Sequence, residues 1–194
     1  MTIQTRILGT VIAVTVLVST ACRDSEYSDS DTSAGVVTDT TAVGGNVEAY
    51  SDANAVAFLQ TVNTGEIEAA GLAKTKATDA EIKAFARQME TDHQQMKDEV
   101  AQTAQRLGLS TTGTDQDVLE DHQEDMRELN EASAGNDFDD KYIDDQVEAH
   151  KDALEEIDDA IERTQNAEFR SLLQKARGAV EGHLRHAERL DKKA

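Results

Sequence analysis

Apolar residues recur along this chain in steps of three and four, the spacing that gathers side chains on one face of an α-helix. One stripe reads Ile82, Phe85, Met89, His93, Met96, Val100 and Leu107; a second reads Ile143, Val147, His150, Leu154, Ile157 and Ile161. A third runs Phe169, Leu173, Ala176, Val180, His183, Ala187 and Leu190, and a shorter one Leu119, His122, Met126 and Leu129. The first helix of the series carries Ala55, Leu59, Val62, Glu66, Ala69 and Ala73. Each stripe holds one ionisable residue where an aliphatic one would ordinarily sit: Glu66, His93, His122, His150 or His183.

The bounds of these helices follow from capping chemistry. Ser51 or Asp52 caps a helix running to about Ala77. Thr78-Asp79-Ala80-Glu81 reads as a capping box that starts the second helix, and Gly108 supplies the left-handed cap that ends it. After the polar loop Ser110–Thr114, a shorter helix spans Asp115–Ser133 and carries His122. Gly135-Asn136-Asp137 is a stop-and-start signal, so a fourth helix runs from about Asp137 to Gln165. Asn166 caps the last, which continues to about Asp191.

The expected fold class is therefore all-α, with four long helices in two hairpins and a short helix between them. That short helix spans ~28 Å at 1.5 Å per residue, enough to return the chain from one end of a bundle to the other. The order up, down, crossover, down, up is that of ferritin-like four-helix bundles with one long connection. A plain up-and-down five-helix bundle is the alternative; four helices of matching length and an odd fifth favour the crossover.

Counting from the turns gives each polar residue a height. Glu66 and His93 lie ~17 and ~21 Å from the first turn, and His150 and His183 ~23 and ~24 Å from the last. With a crossover, His93, His150 and His122 descend ~21, ~20 and ~18 Å from the same end. All five would share one mid-bundle layer. Imidazole is the commonest protein ligand for transition metals, and facing helices are where bundles build such sites. The expected metal ligands are His93, His150 and His183, with Glu66 and His122 assisting, and the set suits Zn, Cu, Fe or Ni. Met89 and Met96 flank His93, and Met126 lies four residues after His122; thioethers so placed can select Cu(I), although Met is also a common core filler. Without metal, the same residues would form a buried polar network, Glu66 accepting from His93 and acidic neighbours from the other rings. His186, one turn beyond His183, is expected at the surface.

Two kinds of chemistry are disfavoured. A di-iron site takes a Glu from each of two helices and Glu-x-x-His from each of the other two. Glu90-Thr91-Asp92-His93 supplies one such motif, but Val147 and Val180 stand where another would need Glu, so a ferroxidase or di-iron oxidase is not expected. No Ser-His-Asp pattern or Gly-rich phosphate loop is present, and Asp92-His93 and Asp121-His122 are sequence neighbours that face different sides of a helix.

Composition narrows the setting. The 194 residues contain no Pro or Trp and 4 % aromatics, which suits long helices. A formal net charge of −20 argues against nucleic acid or anionic membrane as a partner of the folded body. The single cysteine, Cys22, excludes an internal disulfide framework. It follows a positively charged start, Met1–Arg6, a 12-residue uncharged run, Ile7–Val18, and Ser19-Thr20-Ala21. That run is short for a membrane span and ends in small residues, as an export signal does. The placement of Cys22 resembles a bacterial lipobox, with Ser19 where Leu is usual. Residues 1–21 are thus expected to be a lipoprotein-type signal peptide, with lipidation at Cys22. Residues 22–50, rich in Ser, Thr, Asp and Gly, are expected to form a disordered acidic tether, and residues 51–191 the helical domain. The expected location is the cell envelope, facing the periplasm and anchored to the inner or outer membrane.

The residues Gly65-Glu66-Ile67-Glu68, Leu72-Ala73, Ile82-Lys83-Ala84-Phe85-Ala86, Met89, Asp92-His93, Phe138-Asp139, Tyr142, Val147, His150 and His183-Leu184 carry a resemblance. Over about Asp52–Leu190 the chain resembles a large bacterial family of exported ferritin-like proteins of unknown function, often labelled predicted outer membrane proteins. The resemblance implies a ferritin-like four-helix fold and an envelope location, and no activity. Glu90 stands at a position often apolar in that family. The leading expectation is non-catalytic binding of a transition metal. A structural or stress-related envelope protein with a metal-free histidine network is the alternative, and a metal-dependent oxidoreductase comes third.

Overall fold

The computed structural model describes residues 51–192, where every regular element is an α-helix. These are α1 (Asp52–Lys76), α2 (Ala80–Leu107), α3 (Gln116–Glu131), α4 (Asn136–Arg163) and α5 (Ala167–Asp191). The expected signal segment, Cys22 and the tether lie outside the described residues. No described helix is long and apolar enough to cross a membrane.

The caps explain the bounds. The Ser51 side chain accepts from the Asn54 N–H, Asn166 from those of Glu168 and Phe169, and Gly108 closes α2 with a φ of 68°. At the start of α2 the expected capping box is replaced by another device. Asp79, rather than Thr78, is the cap, accepting from the N–H groups of Glu81 and Ile82. Thr78 is drawn away because its N–H and hydroxyl both donate to the buried carboxylate of Asp139, on the first turn of α4.

That contact also sets the course of the chain. The α1–α2 turn and the start of α4 share one end, where Lys76 donates to the carbonyls of Leu129 and Asn130 at the close of α3. At its other end α3 begins beside the first half of α1, the Asp115 N–H donating to Thr61 Oγ1 at 3.0 Å. Thus α3 runs alongside α1 in the same direction and carries the chain from the end of α2 to the start of α4. It lies outside the long helices, and Leu129 is its one buried residue.

The long helices pack α1 on α2, α4 on α5, α2 on α5 and α1 on α4. They enclose two apolar clusters. One gathers Ala70, Phe85, Met89, Phe138, Tyr142, Ile143 and Ala187; the other gathers Val56, Leu59, Val100, Ile157, Phe169, Leu173 and Val180. Along each long helix a polar stretch separates the two contributions: Asn63 and Glu66 on α1, His93 on α2, Gln146 and His150 on α4, His183 on α5. All six are buried.

The inward face of α4 is rotated from the expected one. Gln146, Ala153 and Ala160 are buried, whereas Val147, Leu154 and Ile161 are half-buried and only flank the clusters. Small residues on the inner line let the helices approach closely, and the bulkier ones then cover the seams.

Candidate metal centre

Three helices converge on one point inside the bundle. His93 on α2, His150 on α4 and His183 on α5 have ring centroids 5.2 to 5.8 Å apart. All three are at most 5 % exposed. Each offers a ring nitrogen, and these nitrogens lie within 4.8 Å of one another.

Every ring is oriented by an acceptor at its outer edge. His93 Nδ1 lies 2.9 Å from Asn63 Oδ1, whose amide is itself fixed because Asn63 Nδ2 donates to the Leu59 carbonyl. His150 Nδ1 lies 2.8 Å from the Gln146 carbonyl, one turn back on its own helix. His183 Nε2 lies 2.9 Å from Asp92 Oδ2, reaching from α5 to α2. An amide oxygen, a carbonyl and a carboxylate can only accept, so the facing ring nitrogen must carry the proton. In the neutral ring the opposite nitrogen then bears a free lone pair. Those opposite atoms, His93 Nε2, His150 Nε2 and His183 Nδ1, are buried and have no hydrogen-bond partner.

Burial disfavours the charged form of two of the rings. Burial, then the neighbouring His150 and His183, pulls His93 well below the ordinary imidazole value. Burial and His183 bring His150 down to about 3, against a small opposing effect of its bond to Gln146. Neutral imidazole is the ligating form, and a carboxylate, carbonyl or amide behind a ligating histidine is the usual outer support of a metal site. Tetrahedral bonds of 2.0–2.1 Å would place the nitrogens about 3.3 Å apart, within reach of modest side-chain adjustment.

The other expected ligands fall elsewhere. Glu66 borders the cluster but turns to Gln146, whose Nε2 donates to Glu66 Oε2 at 2.9 Å, and its Oε1 is 3.9 Å from the outer nitrogen of His150. It therefore does not accept from His93, contrary to the sequence expectation; Asn63 does. Burial raises the Glu66 pKa, opposed by the Gln146 bond and by His183 and His122. Beside it the buried Tyr142 hydroxyl is pushed well up, by burial first and then by Glu66. His122 is not in the cluster. It sits on α3, 3.1 Å from Glu68 Oε2 on the outer side of α1. Glu90 pairs with Lys74, so the single Glu-x-x-His spacing joins nothing to His93. Met89 is buried in the first apolar cluster and Met96 flanks the second. His186 is half-buried rather than at the surface, edge-on to Phe85 at 4.9 Å.

Gln146 and Asp92 carry no sequence signal of their own as partners. Asn63 stands four residues after Leu59, in the correct step for the inward stripe, and that spacing alone could have found it.

Comparison with known proteins gives one match. The family described as "Domain of unknown function (DUF4142)" matches residues 38–190, most of the chain and all three clustered histidines. No curated protein and no solved structure matches.

Proposed function

The chain belongs to the DUF4142 family, a domain of unknown function, and we propose that this member is an envelope protein that binds one transition-metal ion through His93, His150 and His183. The observation that carries the reading is that each ring holds a buried, partnerless nitrogen and that the three residues bring one ring nitrogen each within 4.8 Å of one another. Each unsatisfied buried polar atom costs about 1–3 kcal/mol, and an ion bonded to all three would remove that cost at once. A set of neutral nitrogen donors suits Zn or Cu, and Fe follows. Glu66 and His122 act from outside the ligand set, Glu66 as a nearby buried carboxylate and His122 in docking α3.

The alternative is a metal-free polar network. It is favoured by the outer bonds to Asn63, Gln146 and Asp92, which satisfy half of each ring. It leaves the inner halves unsatisfied, which is why metal binding is preferred. The packing of the four long helices, with α3 as crossover, supports a ferritin-like four-helix bundle. Ferritin-type di-iron chemistry is not part of the reading, because Glu90 is engaged by Lys74. Export and lipid anchoring at Cys22 rest on the uncharged run Ile7–Val18 and the small residues before the cysteine.

Metal analysis of the tag-free chain tests the binding. Zn, Cu, Fe and Ni offered at micromolar concentration should give one ion per chain, lost in His93→Ala, His150→Ala and His183→Ala and kept in His122→Ala. No uptake of any of the four would sink the metal reading and leave the polar network. Cell fractionation tests the location: Cys22→Ser should move the protein out of the membrane fraction, and a cytoplasmic location of the unaltered chain would refute export.

A further inference from the structure

We infer that the three-histidine centre keeps one coordination position for an exogenous ligand of one or two heavy atoms, water or a neutral diatomic molecule. This rests on the metal-binding reading and goes beyond it.

The argument begins with the donor count. The group able to hold an ion contains three nitrogens, and among the described residues no carboxylate joins it. Two acids border it, and each faces an outer ring nitrogen: Asp92 lies 2.9 Å from Nε2 of His183, and Glu66 lies 3.9 Å from Nδ1 of His150 and is held by Gln146. A tetrahedral ion would therefore have three protein ligands and a fourth position open, the arrangement of ligand-exchanging rather than closed structural sites.

The second observation is a cavity against two of the three rings. It has a volume of about 20 Å³, with His93 and His183 but not His150 in its wall; Asn63 and Asp92 line it as well, and its other sides are apolar, formed by residues such as Leu59, Val62, Ile157 and Val180. A space of roughly 10–15 Å³ holds one water, so this one takes a water or a diatomic molecule and excludes anything branched. The wall disfavours an anion, since it joins the Asp92 carboxylate to apolar side chains, and so suits a neutral guest.

Carbon monoxide on Cu(I) is a suitable probe, because a bound molecule shows its own infrared stretching band. The experiment uses the full chain carrying Cys22→Ser, so that its one thiol does not compete for Cu(I), loaded without oxygen. One Cu(I) per chain and one saturable carbonyl band are expected, with no binding of tert-butyl isocyanide at the same concentration. Ala179→Leu, which fills the cavity from its half-buried wall, should weaken carbon monoxide at least tenfold with the copper content unchanged. Met96→Leu, at a residue that lines the cavity, should leave the band unchanged; a band that forms only in this variant would make the Met96 thioether the fourth ligand and overturn the inference.

If no Cu(I) is retained, the metal reading itself fails. If Cu(I) is retained but no carbonyl band forms, the centre is closed and this inference is overturned while metal binding stands. Equal binding of tert-butyl isocyanide, or an Ala179→Leu chain with unaltered affinity, would likewise overturn it, because the cavity would not be what selects the ligand.

Discussion

His183 Nε2 lies 2.9 Å from Asp92 Oδ2, so α2 both contributes one ring of the cluster and orients another from the residue next to it. Successive helical residues point about 100° apart. His93 therefore faces inward while Asp92 turns along the seam to α5, and the two adjacent residues serve different rings. Asp92 accepts the Nε2 proton and leaves Nδ1 of His183 free to ligate. Asp92→Ala should weaken metal affinity about 10- to 100-fold, the usual effect of losing such a partner. Competition titration against a chelator checks this, with circular dichroism verifying an unchanged helix content. An affinity equal to that of the unaltered chain would show that His183 needs no outer support.

The neutral rings impose a pH dependence on the metal-free protein. His150 is held near 3 and His93 well below 6.5, whereas both titrate near 6.5 when the chain unfolds. Between those values the unfolded chain binds more protons, so stability rises with pH and is lost as pH falls below 6.5. For His150 alone the loss at pH 4.5 is about 3 kcal/mol, two pH units at 1.36 kcal/mol each. Glu66 acts in the opposite sense. Its raised value means that the folded chain holds this proton more tightly than the unfolded one, which offsets part of the loss. Urea midpoints measured from pH 7 to 4.5 should fall, and fall less steeply in His150→Leu. Asp145, raised to about 6, opposes the loss as Glu66 does, so the comparison between chains decides: an acid profile unchanged in His150→Leu would contradict a buried neutral imidazole at that position.

Asp139 should matter to stability and not to the metal. Its carboxylate lies 2.7 Å from Thr78 Oγ1, 2.8 Å from the Asp79 nitrogen and 3.0 Å from the Thr78 nitrogen, and it is 5 % exposed. It also sits in the first turn of α4, where the helix dipole favours a negative charge. Asp139→Ala leaves those donors with no acceptor and should cost about 3 kcal/mol, roughly 10 °C in melting temperature. Asp139→Asn keeps one acceptor oxygen and should lose less. Metal stoichiometry should remain one per chain in both, because this contact lies at the end of the bundle, away from the histidines.

Helix bounds were legible because Ser51, Gly108 and Asn166 act locally, through their own backbone neighbours. Thr78 misled for the opposite reason: its partner, Asp139, is 61 residues away. The cluster shows the same division. Counting along helices fixes height, and His93, His150 and His183 do meet at one level. Height carries no information about direction around the axis, which is why His122 and Glu66, placed at similar heights, are not among the three. Direction depends on which residues let helices approach. On α4 the alanines at 153 and 160 turn Gln146 inward in place of Val147, and Gln146 then takes the carboxylate of Glu66. Asp92 was hidden likewise, because its partner lies on another helix.

Gly65 is what places His122. A Cβ on Gly65 would lie 2.9 Å from both Cγ and Nδ1 of the His122 ring, closer than real contacts allow. The bare backbone of α1 thus receives the imidazole, and Glu68 Oε2 holds its far nitrogen at 3.1 Å. Alanine would improve the intrinsic helix propensity of α1 by up to about 1 kcal/mol. It would also push the ring, and α3 with it, off α1, and overpacking of this kind costs about 1–3 kcal/mol. The clash is expected to prevail, so Gly65→Ala should lower the melting temperature by several degrees. His122→Ala removes the ring and the clash together, so the double variant should be more stable than the sum of the two single effects. Thermal unfolding of the four chains in this cycle gives the coupling directly. A stabilised Gly65→Ala, or strictly additive effects, would mean that the ring moves aside freely and that α3 does not depend on this close approach.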